Sequence, residues 1–302
     1  MTLERTEFLK TFDGNDLFFR CFVPRAEGHS HGGVARVEGL VLAVHGFAEH
    51  SGRYAEVAEA VCKKGLAFAC FDLRGHGKSG PRRGDAENIH AMILDVLFVT
   101  NHAKSFLGLS QRQDIFFGLL GHSFGALLVT YAASILHDTC PPLFLSSPLY
   151  KIRQDVPAWK KLAANALPRF APLLPVPIGI DPQNISVSQE NIASYMADEL
   201  NLFSISARFG NLFLGAVNDR DVNAAVARIK APVTICVGEK DTLVDTNRVK
   251  QAFPLFGSRR TRLHTIAGAG HEILNETPEL RAEAYRELMA WIDNKGLPAS
   301  AP

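Results

Sequence analysis

The chain opens on two short alternations of apolar and polar residues, around Thr6 to Thr11 and Leu17 to Val23, separated by Asp13-Gly14-Asn15-Asp16. Period-two alternation on either side of a cluster of turn formers predicts a β-hairpin. A polar loop at Gly28 to Gly33 follows, and then the pattern changes. Leu40 to Val44 is a short, unbroken apolar run, as expected of a parallel strand buried on both faces. Ala55 to Lys64 reads as a helix and Leu66 to Leu73 as the next buried strand. The sequence continues with a helix from about Glu87 to Leu107, a strand from Ile115 to Leu120, a helix from Phe124 to Leu136 and a strand at Leu143 to Ser146. The alternation stops between about Pro148 and Asp221. It resumes with a strand at Val233 to Val237, a helix near Thr246 to Phe253, a strand at Arg262 to Ile266 and a terminal helix from Pro278 to Asp293. In that last helix Thr277 and Pro278 supply an N-cap and first residue, and Leu280, Ala284, Leu288 and Trp291 form the buried stripe.

Alternating β and α segments predict an α/β fold: a doubly wound, mostly parallel central sheet with helices on both faces. The interruption is longer than an ordinary loop. It divides the chain into a first core part, residues 1–148, an insertion, residues 149–224, and a second core part, residues 225–302. No convincing buried strand is expected inside the insertion. Trp159, Leu162, Ala163, Ala166 and Leu167 fall on one face of a short helix predicted to stop at Pro168.

Composition narrows the class. Of 302 residues 47% are apolar and 21% charged, and 32 Lys and Arg against 31 Asp and Glu leave a formal charge of +1, which argues against a nucleic-acid partner. Five cysteines, Cys21, Cys62, Cys70, Cys140 and Cys236, form no CxxC pair and read as free thiols in a reducing compartment. The first residues lack the apolar stretch of a signal peptide, and no segment reaches the ~20 apolar residues of a membrane span. A cytoplasmic location is expected.

The chemistry concentrates at Gly121-His122-Ser123-Phe124-Gly125, directly after one predicted strand and before a helix. That is the G-x-S-x-G nucleophile elbow in its strand-to-helix context, a strained turn that lifts a serine hydroxyl above the end of the sheet. A neutral serine is a poor nucleophile, so a histidine is needed to take its proton and a carboxylate to hold that histidine. Two later strand ends supply them, in the chain order Ser, acid, His. Val233 to Val237 runs into Gly238-Glu239-Lys240-Asp241, and Arg262 to Ile266 into Gly268-Ala269-Gly270-His271. Asp241 is the expected acid, with Glu239 and Asp245 as rivals; Asp245 reads as the start of the next helix. Two backbone N–H groups should face the developing alkoxide: that of Phe124 at the helix N-terminus and that of Phe47 in Val44-His45-Gly46-Phe47, a run that also reads as a simple tight turn. Asp72 to Ser79 lacks the ending and spacing of a phosphate loop and reads as a glycine-containing structural loop. No metal and no organic cofactor is required by this apparatus.

His45 to Tyr54, Phe71 to Ser79 and Gly121 to Gly125 together resemble the monoacylglycerol lipase and lysophospholipase group of α/β-hydrolases, related to the serine aminopeptidase type. The resemblance spans nearly the whole chain: Asp241 and His271 fit the group's acid and base positions, and Ser206 to Gly210 a stretch near the end of its cap. Phe124 and Ala126 stand where the group commonly has methionine and glycine. The resemblance implies the α/β-hydrolase fold, a mainly helical inserted cap over the site, and hydrolysis of single-chain lipid esters through an acyl-enzyme on Ser123. General ester, peptide or amide hydrolysis is the alternative; a peptidase would want a cap carboxylate such as Glu190, Asp198 or Glu199 to hold a substrate amine. A binding scaffold without activity would be expected to lack one of the three residues, and here all three positions are filled. The apolar helix face and the Phe170 to Ile180 stretch either pack on the sheet or line a lipid-chain tunnel. On the second reading Trp159, Leu173 and Leu174 contact the acyl chain, and the cap touches a membrane or micelle surface.

Overall fold

The computed structural model describes residues 2–25, 36–80, 82–112, 114–154, 157–217 and 219–297. The expected loop at Gly28 to Gly33 lies outside them. The predicted hairpin forms from β1 (Thr2–Lys10) and β2 (Asp16–Pro24), paired antiparallel in the register Leu9 with Leu17 and Leu3 with Val23. The apolar runs become β3 (Gly39–Val44), β4 (Ala67–Phe71), β5 (Phe116–His122), β6 (Leu143–Ser146), β9 (Val233–Gly238) and β10 (Thr261–Ile266). Among the described residues eight strands form one sheet in the order β1-β2-β4-β3-β5-β6-β9-β10, with β2 antiparallel to its neighbours and the later strands parallel.

The strands sort their side chains between two layers of helices. Leu40, Leu42 and Val44 of β3 join the larger core with α2 (Ile89–Phe106), α3 (Phe124–Leu136), α7 (Asp219–Arg228) and α8 (Thr246–Ala252). Val41 and Ala43, one residue out of phase, join the opposite core with α1 (Ala55–Cys62) and α9 (Pro278–Asp293). Every residue of β3, β4, β6 and β9 is buried, which is why these strands read as continuous apolar runs rather than as alternations.

Between β6 and α7 the chain forms α4 (Ala158–Phe170), β7 (Pro175–Pro177), α5 (Gln189–Ala197), β8 (Ser204–Ser206) and α6 (Ala207–Ala216). Two expectations are corrected here. β7 and β8 pair antiparallel in a small second sheet, where no strand was expected. They are three residues long, too short for a periodicity to show, and β7 begins and ends on proline. In addition, α4 does not stop at Pro168 but runs two residues further, with Ala171 N–H donating to the Leu167 carbonyl past the ring at 2.7 Å. The predicted boundary at residue 224 falls inside α7, whose Val222 and Val226 are buried in the larger core beside α3.

The insertion is tied down over the carboxyl ends of the strands. Leu202 N–H donates to the Ala48 carbonyl at 2.9 Å, and Ser206 Oγ and Arg208 Nε both donate to Asp85 Oδ1, at 2.5 and 2.7 Å. At the far end of the chain, Trp291 of α9 packs edge-on to Phe116 and beside Phe144, over Gly118, where a Cβ would come within 2.3 Å of its ring. Trp291→Ala is expected to reduce unfolding free energy by about 3–5 kcal/mol, read from urea denaturation, while leaving the opposite helix layer intact.

Candidate active site

Ser123 is the single residue between the last residue of β5 and the first of α3, and its backbone is left-handed, with φ +52° and ψ −116°. Such a conformation is uncommon outside glycine and costs on the order of 1–3 kcal/mol. Ser123 N–H donates to Ser146 O at 2.9 Å, and Ser123 O accepts from Leu127 and Leu149, which fixes the turn from three sides. The flanking glycines allow the close approach: a Cβ on Gly121 would stand 2.5 Å from Ala126 Cα, and one on Gly125 2.2 Å from the Val44 carbonyl oxygen.

The turn presents the serine hydroxyl to His271, whose Nε2 lies 2.8 Å from Ser123 Oγ; His271 Nδ1 lies 2.7 Å from Asp241 Oδ2. All three side chains are buried. Asp241 Oδ1 accepts backbone N–H bonds from Leu243 and Val244, both at 2.9 Å, so the loop that carries the carboxylate also orients it. The rivals for the acid are otherwise engaged. Asp245 caps α8, accepting from Asn247 and Arg248 backbone N–H, and Glu239 accepts from Gly268 N–H. Ser147 Oγ donates to the His271 carbonyl, and Glu276, accepting from Gly270 N–H, holds the loop before the histidine.

The charges follow from burial and pairing. Burial pushes the Asp241 carboxyl up, but the charge and hydrogen bond of His271 and the two backbone donors outweigh it and hold the group below the usual range. For His271 burial works downward, and Asp241, with Glu272 and Glu49 behind it, raises the imidazole above its ordinary value. His122, whose ring lies 5.0 Å from that of His271, is pushed down to about 3, chiefly by burial and then by His271. It therefore stays neutral beside His271.

The other two expected residues border the same point. Phe124 is the first residue of α3, so its N–H has no partner within the helix. Phe47 follows Gly46, where a Cβ would lie 3.3 Å from Ser123 Cβ, and the Phe47 and Phe124 rings meet edge-on at 5.9 Å. The next residue, Ala48, is itself left-handed at φ +67°, and its carbonyl accepts from Leu202 N–H and Tyr195 OH. The His45-Gly46-Phe47 run is thus held from the insertion as well as from the sheet.

A cavity of about 570 Å³ opens above Ser123 and His271. The insertion lines it with apolar side chains including Leu167, Val176, Ile178, Ile205, Phe213 and Leu214. The expected contacts are corrected in detail. Leu173 and Leu174 do not line it and are 39% and 45% exposed, because the lining face of this segment is supplied by α4, β7 and α6 instead. Trp159 lies on α4, and its side chain is outside the described residues. Glu190, Asp198 and Glu199 are absent from the lining, and Asp198 pairs with His50.

Sequence reasoning missed a polar group on the opposite wall. Glu49 and Glu272 both line the cavity, and Arg53 lies between them, with Nε on Glu49 Oε2 at 3.2 Å and a terminal nitrogen on Glu272 Oε2 at 2.5 Å. Glu49 Oε1 also accepts from Gly46 N–H and Tyr54 OH, and Asn191 bridges Arg53 and Glu272. Burial, with the neighbouring charge of Glu272, raises Glu49 to about 7. The available signal was adjacency: Glu49 and Arg53 stand in the run after β3, and Glu272 directly follows His271.

A serine hydroxyl, an imidazole and a buried carboxylate in one hydrogen-bonded line, under a partly enclosed and mainly apolar space, define a serine hydrolase built on the α/β-hydrolase fold. Residues 35–278 match the family described as Serine aminopeptidase, S33, and the chain belongs to that hydrolase family. It is 28% identical over 286 residues to the monoglyceride lipase of Homo sapiens, covering 94% of this chain and 88% of the relative. It is 26% identical over 255 residues to a phospholipase of Bacillus subtilis, covering 84% of this chain and 95% of that one. The crystal structure of Paleococcus ferrophilus monoacylglycerol lipase superposes with a TM-score of 0.77 at 26% identity, over 92% of this chain and 99% of that one. The chain lies among the lipases and esterases of this fold.

Because the imidazole must be neutral to accept a proton and is held above its ordinary value, kcat/KM for an uncharged ester should fall on the acid side with an apparent pKa above 6.5. Asp241→Asn should lower kcat by about 10⁴ and move that limb downward, whereas Asp245→Asn should leave both nearly unchanged. A pH–rate profile of the three proteins checks the assignment of the acid.

Proposed function

We propose that Ser123, His271 and Asp241 are the nucleophile, general base and orienting acid of an enzyme that hydrolyses carboxylic esters of single-chain lipids, monoacylglycerols or lysophospholipids. The observation that carries this reading is the Ser123–His271–Asp241 line at 2.8 and 2.7 Å beneath a cavity lined mainly by apolar side chains. Similarity to a monoglyceride lipase and to a phospholipase supports the substrate class.

Ser123 Oγ attacks the ester carbonyl carbon as His271 Nε2 takes its proton. The alkoxide of the tetrahedral intermediate faces the backbone N–H groups of Phe47 and Phe124, each worth about 3–4 kcal/mol. Collapse expels the alcohol, which leaves with the proton returned by His271, and the acyl group stays on Ser123. Water, deprotonated by the same imidazole, then attacks the acyl-enzyme, and His271 returns the proton to Ser123 Oγ as the fatty acid is released. Asp241 remains ionised throughout and stabilises the imidazolium. Residues 149–224, apart from the part of α7 that belongs to the core, act as the cap, and the acyl chain lies against Leu167, Val176 and Phe213.

No helix among the described residues is long and apolar enough to cross a membrane. Contact with a lipid phase is assigned to the cap surface, where Leu162 and Phe170 are 71% and 88% exposed.

A fluorophosphonate probe should label the protein once, at Ser123, and Ser123→Ala should abolish both labelling and ester hydrolysis. Across esters of one alcohol, kcat/KM should rise from two-carbon towards eight-carbon acyl chains, by up to about fourfold per methylene at ~0.8 kcal/mol each. Leu167→Asp should flatten that rise while sparing acetate esters. A flat profile in the unaltered protein would point to a small-ester or peptide substrate.

A further inference from the structure

The cavity wall is chemically divided. Its acidic side chains are Glu49, Asp181 and Glu272, and no lysine or arginine occurs among the described lining residues. Arg53, the cation of the cluster, sits behind the two glutamates and is occupied by them and by Asn191. Glu272 has both of its strong donors on one oxygen: Arg53 and Asn191 Nδ2 meet Oε2, and Oε1 has no hydrogen-bond partner among the described residues. The residue is 5% exposed and lies in the lining, so this oxygen is the one left to a bound molecule.

The chemistry of the reaction says which part of the substrate meets it. His271 Nε2 must deliver its proton to the departing alcohol oxygen, so the alcohol occupies the His271 side of Ser123. The carbonyl oxygen lies towards the Phe47 and Phe124 amides. Glu272 is the next residue after His271. Glu272 lines the same cavity as Ser123 and His271, so a charge on the alcohol would meet the field of its carboxylate, in a partly enclosed space where screening by salt is weak.

We infer that Glu272 is a specificity determinant for the leaving alcohol, admitting uncharged and cationic alcohols and rejecting those that carry a phosphate or other anion. The inference rests on the proposed ester hydrolysis and narrows it. Among single-chain lipids it favours esters of plain polyols or amino alcohols over those with a net anionic phosphate head. Exclusion acts through like charge, a device that needs no contact tailored to the accepted substrate.

The test compares three esters of one acyl chain on the intact chain of 302 residues, below their micellar concentrations: a glycerol monoester, its 3-phosphate, and a choline ester. In the unaltered protein kcat/KM for the glycerol ester should exceed that for the phosphate by at least about tenfold, and the choline ester should be hydrolysed no more slowly than the glycerol ester within about threefold. In Glu272→Gln the ratio of glycerol ester to phosphate should contract to about threefold or less, whatever happens to the absolute rates, since the ratio cancels any effect on His271. Equal or faster hydrolysis of the phosphate by the unaltered protein overturns the inference, as does a ratio unmoved in Glu272→Gln. Should that variant fail to fold, the ranking of the three esters by the unaltered protein still decides. Failure of the proposed function would look different: none of the three esters would be cleaved.

Discussion

The left-handed turn at Ser123 depends on how closely α3 can approach the end of β3. The Gly125 backbone lies so near the Val44 and His45 carbonyls that a single added carbon would overlap both, and Gly121 makes the same allowance for Ala126. This contact brings the first turn of α3, with its unsatisfied N–H groups, onto the carboxyl edge of the sheet, beside the Gly46-Phe47 loop. The strain at Ser123 is offset by the burial of almost the whole of α3, from Phe124 to Ser134, against both sheet and neighbouring helices. A helix held on every side leaves the turn no room to relax. The positions of His271, of Asp241 and of the cavity are all defined relative to a hydroxyl that cannot move away.

Around that point the protein carries an unusual load of buried charge, and its distribution has a logic. Removing a carboxylate from water costs several kcal/mol unless fixed donors replace the solvent. Asp241 has two backbone N–H groups and His271; Glu276 has Gly270 and Val187 N–H with Ser186 Oγ; Glu49 and Glu272 share Arg53. The neighbouring imidazoles do not compete for these anions. His45, His76 and His122 are each pushed down to about 3, first of all by burial, and so contribute neutral rings and hydrogen bonds rather than cations. His271 alone of this group is raised, because Asp241 is in direct contact with it.

Most of the sheet was legible because buried parallel strands and their covering helices leave strong local periodicities. The elbow was legible because its strand, turn and helix are consecutive in the chain. Ser123, Asp241 and His271 could be picked out as strand-end residues, and the structure brings those three side chains into hydrogen-bonding distance. What could not be read is what depends on contacts distant in sequence. Glu49, Arg53, Asn191 and Glu272 are polar residues in four separate segments, and nothing local distinguishes them from solvated side chains. β7 and β8 are three-residue strands separated by 26 residues, so neither has a period of its own. Leu173 and Leu174 illustrate the converse error: two adjacent leucines in a proline-rich stretch suggest a lining, yet their neighbours Val176 and Ile178 supply it. Of the two glycines that precede His271, only Gly268 is left-handed, at φ +76°. A Cβ on Gly270 would instead lie 2.7 Å from the Glu276 oxygen that its own N–H binds.

The attachments of the insertion are unevenly placed, and this separates two kinds of selection. Residues 184–208 are bonded to the core at many points: Ile185 O to Glu272 N–H, Ser186 Oγ to Glu276, Tyr195 and Leu202 to Ala48, Ser206 and Arg208 to Asp85. These bonds touch the His271 loop and the Phe47 loop, so this half of the insertion cannot shift without disturbing the site. α4 and the 171–174 stretch lean on α6 and the segment leading to it, with Leu162, Phe170, Leu173 and Leu174 left exposed. The wall proposed for the leaving alcohol is therefore polar, acidic and fixed by the core, while the wall proposed for the acyl chain is apolar and is borne partly, through Leu167, on the less constrained part. Discrimination by charge requires carboxylates that stay in place, because a flexible one would retreat into water and lose its effect. Accommodation of a hydrocarbon chain has no such requirement, since burial of methylenes is non-directional and tolerates adjustment of the surface that covers them. The division of the cavity between a fixed acidic wall and an apolar one that is adaptable at α4 follows from these opposite demands.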